Sequence, residues 1–179
     1  MTEKEILTIV GTQKDFFRSG KTLDVSFRIT HLKKLYDVIK KKEDEIAGAL
    51  YKDLGKSKSE AYMCEIGLVL SEISYMLKHI KKWTKPRRKR THLAQFKAVS
   101  FTITEPYGTV LVMSPWNYPF LLSVDPLVEA IAAGNTVIIK TSEYSPYTNE
   151  IVKEIIEDAF DPKYATVILG GIIENQTLI

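Results

Sequence analysis

The stretch from Gly108 to Lys140, GTVLVMSPWNYPFLLSVDPLVEAIAAGNTVIIK, decides the fold. It opens and closes on short continuous apolar runs, GTVLVM and NTVIIK, and between them Phe120 to Ala133 carries apolar residues at helical spacing. Continuous apolar runs of this length predict strands buried on both faces, a setting that a helix-covered sheet provides. Downstream the pattern repeats, with a helix-like stretch from Tyr147 to Phe160 and then the run ATVILGG from Ala165. Each parallel strand needs a crossover that returns the chain to the same end of the sheet, so these runs predict a β-α-β-α-β unit. The expected fold class is α/β: a partial doubly wound parallel sheet of three strands, preceded by an amino-terminal helical layer. The last residues, GGIIENQTLI, read as the start of another helix, and a sheet this small is expected to be the beginning of a larger one.

Before Gly108 the chain reads as helices. Thr2 and Glu5 form a capping-box pattern, Ile6, Val10 and Phe17 follow near helical spacing, and Gly20 is a stop. Ile29, Leu32, Leu35, Ile39, Ile46 and Leu50 predict one long helix or two between Val25 and Leu54, ended by Gly55. Ser57 and Glu60 open a third, whose Met63, Ile66, Leu70, Ile73, Leu77 and Ile80 are expected on one face. In KAVSFTITEP the period changes to two, and the alternation of Val99, Phe101 and Ile103 with polar residues predicts a strand buried on one side.

The chain of 179 residues is 45% hydrophobic and 26% charged, enough for a substantial core. No apolar run approaches the roughly 20 residues that span a bilayer, and the acidic and basic start lacks the order of a signal peptide. One cysteine, Cys64, excludes an intrachain disulfide and makes a reducing, cytoplasmic compartment the expectation. A net charge of +3 does not point to nucleic acid. The densest charge, KKWTKPRRKR from Lys81 to Arg90, fits a solvated helix end and linker, with a nucleic-acid or anionic-lipid patch as the alternative. His79 stands without metal-spaced partners, so no metal is proposed.

Ligands of open α/β sheets bind at the carboxyl ends of the strands, where Ser114 to Pro119 falls. Pro119 suits the first turn of a helix and aims the residues before it. Asn117 offers a neutral amide donor suited to a developing oxyanion; the alternative is a cap or turn residue.

The blocks PWNYP, AIAAGN and Lys-x-Ser-Glu, in this order within Glu105 to Pro146, resemble the aldehyde dehydrogenase superfamily, in particular its class 3-like branch for fatty or aromatic aldehydes. The upstream segment from Asp53 to Arg90 is similar to that branch's amino-terminal helices. The resemblance implies that Asn117 donates to the oxyanion formed when a cysteine attacks an aldehyde, and that Trp116 and Tyr118 line the substrate path. It also implies that Lys140, Glu143 and Ser114 contribute to an NAD or NADP site, with Lys140 and Glu143 on the adenosine ribose. Glu143 would disfavour a 2′-phosphate, which leans the expectation toward NAD. Where the family usually has Pro, this chain has Thr141.

By the same resemblance, residues 1–106 comprise helices and a subunit-contact strand around Phe101, and residues 107–179 the first half of the dinucleotide-binding domain. The Leu169 to Gly171 run matches a glycine pair that turns out of the third strand. The family's nucleophilic cysteine and general-base glutamate lie beyond it, and Cys64 is read as structural. The expectation is the amino-terminal part of an enzyme oxidising aldehydes to carboxylates, homodimeric when full length, inactive as this segment alone. The alternative is a non-catalytic interaction module.

Overall fold

The computed structural model describes residues 1–179. Its centre is a parallel sheet of β3 (Thr109–Met113), β4 (Thr136–Lys140) and β5 (Ala165–Ile168), in that spatial order. Thr109 aligns with Thr136, and Val137 with Ala165. The crossovers are α6 (Leu121–Ala133) and α7 (Pro146–Ala159), and α8 (Ile172–Leu178) follows the last strand.

Alternation along the strands sends side chains to two apolar layers. Val112, Val137, Ile139 and Val167 join the larger core with α6 and α7, which α2 (Val25–Lys41), α3 (Glu43–Leu54) and α5 (Gly67–Trp83) cover from outside. Ile138 and Ile168 face the other way, against Ile6 of α1 (Glu3–Arg18) and Leu178 of α8. The helical layer is therefore divided: α1 lies on one face of the sheet, while α2, α3 and α5 pack on the crossover helices of the other.

Local signals explain the helix limits. Thr2 and Glu5 form the capping box, Gly20 and Gly55 are left-handed, and Lys42 separates α2 from α3. Gly134 ends α6 at φ 101°, and a Cβ there would stand 2.9 Å from the Arg28 guanidinium carbon, so the site favours glycine by conformation and by space. Arg28 is 5% exposed and donates to the carbonyls of Thr22, Leu23 and Ala132. A cation thus sits at the carboxyl end of α6, where it complements the helix dipole. Burial holds its pKa below the usual arginine value. Asn135 accepts from the Gly108 N–H at 3.0 Å and donates to the Ala130 carbonyl at 3.1 Å, tying the starts of β3 and β4 to the end of α6.

Four expectations require correction. The helix opened by Ser57 is interrupted: α4 (Lys58–Ala61) runs into a π-helical turn, Tyr62–Ile66, before α5 begins. A π turn holds an extra residue, so the face is rotated; Met63 is 73% exposed, while Ile66, Leu70, Ile73 and Ile80 remain buried. The strand around Phe101 is shorter than its alternation suggests, Ser100–Thr102 (β2), and Val99, Phe101 and Ile103 are all exposed. It pairs antiparallel with β1, Arg87–Lys89, so part of the basic run is strand rather than linker. Pro119 precedes α6 by two residues and closes the loop instead of starting the helix.

Candidate functional site

The loop from Ser114 to Phe120 leaves β3 at its carboxyl end, level with the ends of β4 and β5. Its first residue is fixed by the sheet, because the Ser114 N–H donates to the Lys140 carbonyl at 3.0 Å. Ser114 Oγ and Ser123 Oγ are hydrogen-bonded at 2.7 Å, and Ser123 Oγ lies 2.6 Å from the Pro119 carbonyl oxygen. Both ends of the loop are thus tied to one hydroxyl on the first turn of α6. Between these ties Trp116, Asn117 and Tyr118 are exposed, and Tyr118 has φ 50°. A positive φ is uncommon for a bulky residue and persists where the surroundings fix it.

Those surroundings come from a residue that sequence periodicity placed nowhere special. Glu65, in the π turn, is fully buried and accepts from the backbone N–H groups of Phe120 at 2.9 Å and Leu121 at 3.0 Å. These are among the first donors of α6, which have no partner within a helix. A carboxylate there satisfies them and meets the positive end of the dipole. Its counter-charge is Lys56, whose ammonium lies 2.5 Å from Glu65 and 4.1 Å from the centroid of the Tyr118 ring. Breaking a buried pair by removing one member typically costs about 3–5 kcal/mol. In the sequence, Glu65 reads as one more charge on a helix; Gly67 is the visible trace of the π turn. A Cβ at Gly67 would stand 2.9 Å from the Tyr62 carbonyl oxygen.

Ser114, Lys140 and Glu143 line one cleft of ≈ 130 Å³ at the strand ends, with Thr141, Gly170, Gly171 and Asn175. Lys140 is 3% exposed and donates to the Thr141 carbonyl at 2.5 Å and the Gly170 carbonyl at 2.7 Å. An ammonium has three N–H groups, so one is left for a ligand. Burial lowers the Lys140 pKa, against the pull of the Glu174 and Glu143 carboxylates. Glu143 is exposed and lies so close to Gly171 that a Cβ there would collide with its carboxylate. The hydroxyl of Thr141 is buried without a partner. A donor, an acceptor and a glycine-backed wall suit the vicinal hydroxyls of a ribose, so these residues fit a nucleotide. Asn117, Trp116 and Tyr118 do not line this cleft; they occupy the adjoining rim. Elsewhere, Cys64 is half-buried and free, and His79 stacks on Trp83 with ring centroids 5.3 Å apart.

The aldehyde dehydrogenase family model matches residues 1–177. The 4,4'-diaponeurosporen-aldehyde dehydrogenase of Staphylococcus aureus (strain NCTC 8325 / PS 47) is 51% identical over 166 residues, covering 93% of this chain and 36% of that protein. Aldehyde dehydrogenase family 3 member H1 of Arabidopsis thaliana is 38% identical over 175 residues, covering 98% of this chain and 36% of that protein. A solved structure described as the substrate-bound state of Staphylococcus aureus AldH superposes with a TM-score of 0.94 at 48% identity, covering 97% of this chain and 38% of that one. The chain thus spans 36% of the length of both curated relatives.

Proposed function

The chain belongs to the aldehyde dehydrogenase family, and from that premise we propose that it supplies the oxyanion donor and part of the nucleotide cleft of an enzyme oxidising an aldehyde to a carboxylate. The observation that carries this reading is the exposed side chain of Asn117 on a loop tied at both ends, at the carboxyl edge of a parallel sheet. An amide held in place donates to an alkoxide oxygen without reorganising, and it does so at any pH in the working range. Trp116 and Tyr118, 55% and 44% exposed, offer flat apolar surface to the aldehyde's carbon chain.

The family uses NAD or NADP, and the bound dinucleotide supplies the hydride acceptor. In this proposal the free N–H of Lys140 and the carboxylate of Glu143 hold the adenosine ribose, and Ser114 borders the same cleft. A carboxylate at that position repels a 2′-phosphate, which favours NAD. The reducing cytoplasm suits the single thiol of Cys64. The exposed β1–β2 ribbon, with Val99, Phe101 and Ile103 uncovered, supports a subunit contact in the complete homodimer.

The test is Asn117→Ala in the intact protein that carries this segment. Loss of one oxyanion donor should lower kcat by about 10²–10³-fold with little change in KM for the dinucleotide. Unchanged kcat would remove Asn117 from the chemistry. Residues 1–179 alone should reduce no NAD or NADP with an aldehyde, and turnover there would contradict the assignment.

A further inference from the structure

Among the charges of the protein, one pair, a fully buried carboxylate and a partly buried ammonium, lies outside the nucleotide cleft and yet holds the loop that carries Asn117. Glu65 is fully buried, and its Oε2 takes the N–H groups of Phe120 and Leu121, two and three residues beyond Tyr118. Its Oε1 takes the Lys56 ammonium, which also lies over the Tyr118 ring. The four groups form one connected unit, π turn to carboxylate to helix start, and ammonium to aromatic ring. That unit spans the positive-φ residue directly after Asn117.

We propose that Glu65, with Lys56, is a positioning residue for Asn117. The inference rests on the functional reading above and adds to it a cause for the loop's shape. Lys56 neutralises Glu65 and seats Tyr118; Glu65 fixes the helix start; Ser123 fixes the Pro119 carbonyl. With the helix start released, Tyr118 loses what keeps it at φ 50°, and the Asn117 amide leaves the oxyanion direction. Displacement of a reacting group by about 1 Å can cost on the order of 10²-fold in rate.

The experiment compares Glu65→Gln, Glu65→Ala and Lys56→Met in the intact protein that carries this segment, each alone and combined with Asn117→Ala. Thermal unfolding is recorded for each. Expected for the folded variants is a fall in kcat of about 10–10²-fold for Glu65→Ala and Lys56→Met, with KM for the dinucleotide unchanged and Glu65→Gln less affected, since its amide oxygen still accepts. In the Asn117→Ala background the same substitutions should lower kcat no further, because the group they position is gone. An equal further fall in that background, or wild-type kcat in folded Glu65→Ala, overturns the proposal while leaving the oxyanion assignment intact. Full activity of Asn117→Ala alone would instead remove the reading on which the proposal rests. Should Glu65→Ala not fold, amide exchange in the wild-type protein decides: slow exchange at Phe120 and Leu121 is expected, and rapid exchange at both would refute the clamp.

Discussion

The carboxylate of Asp53, in the last turn of α3, accepts hydrogen bonds from the backbone of Thr148 at 2.6 Å and of Tyr147 at 3.2 Å, the opening residues of α7. The N-cap position itself, Ser145, makes no capping bond with its side chain, so the cap comes from another helix. Asp53→Ala is expected to lower stability by about 1–2 kcal/mol, and Asp53→Asn by less. Urea unfolding of the two variants would show it, and identical midpoints to wild type would argue that water replaces the carboxylate.

Gly67→Ala pits two effects against each other. Helix propensity favours alanine by about 1 kcal/mol. The added methyl, however, would stand 2.9 Å from the Tyr62 carbonyl oxygen and 3.2 Å from its ring, inside the closing bond of the π turn. Crowding of this kind costs about 1–3 kcal/mol, so net destabilisation is expected. A raised melting temperature would mean that the turn relaxes to an ordinary α-helix without penalty.

Asp125, half-buried on α6, has its pKa raised to about 6 by burial first, then by the Glu72 and Glu129 carboxylates. Folding therefore favours its protonated form. Stability from this group is fully present below pH 4, where both folded and unfolded forms are protonated, and is lost as pH rises to about 6. Asp125→Asn should flatten that part of the pH profile and stabilise the protein near pH 7 by on the order of 1–2 kcal/mol. Unfolding midpoints at about pH 3 and pH 7, roughly one pH unit beyond either end of this window, provide the comparison; an unchanged slope would show that Asp125 does not carry it.

Tyr164 lies fully buried among Phe16, Phe27, His31 and Phe160, and its hydroxyl has no hydrogen-bond partner. Burial drives its pKa up. Tyr164→Phe keeps the ring and removes the stranded group, with an expected gain of about 1 kcal/mol. A loss of stability in calorimetry would reveal a partner for the hydroxyl, such as an internal water.

Much of this architecture is legible in the residues themselves. The apolar runs at Gly108, Asn135 and Ala165 predict the parallel strands because burial on both faces leaves no polar positions to confuse the pattern. The capping box at Thr2 and the stops at Gly20 and Gly55 are equally local signals. The π turn escapes, since a regular period of 3.6 places Met63 inward and hides Glu65. Caps supplied across the fold, Asp53 to α7 and Glu65 to α6, escape for a related reason: a carboxylate far along the chain has no local pattern announcing its partner. Asn117 lies between these cases, visible as a residue at a strand end but ambiguous until its blocks are set beside those of a family. The exposed β2 face shows the limit of alternation, which marks a two-sided strand without telling what covers either side.

Helix starts are common landing places for phosphate, because their free N–H groups and dipole attract negative charge. Here the starts of α6 and α7 already carry built-in counter-ions, Glu65 and Asp53, brought by the helices packed outside them. A diphosphate approaching this rim would meet helix starts whose first N–H groups are already taken. In the proposed site, what this rim offers a dinucleotide is therefore the side chains of Lys140 and Glu143 in the cleft rather than the starts of α6 and α7.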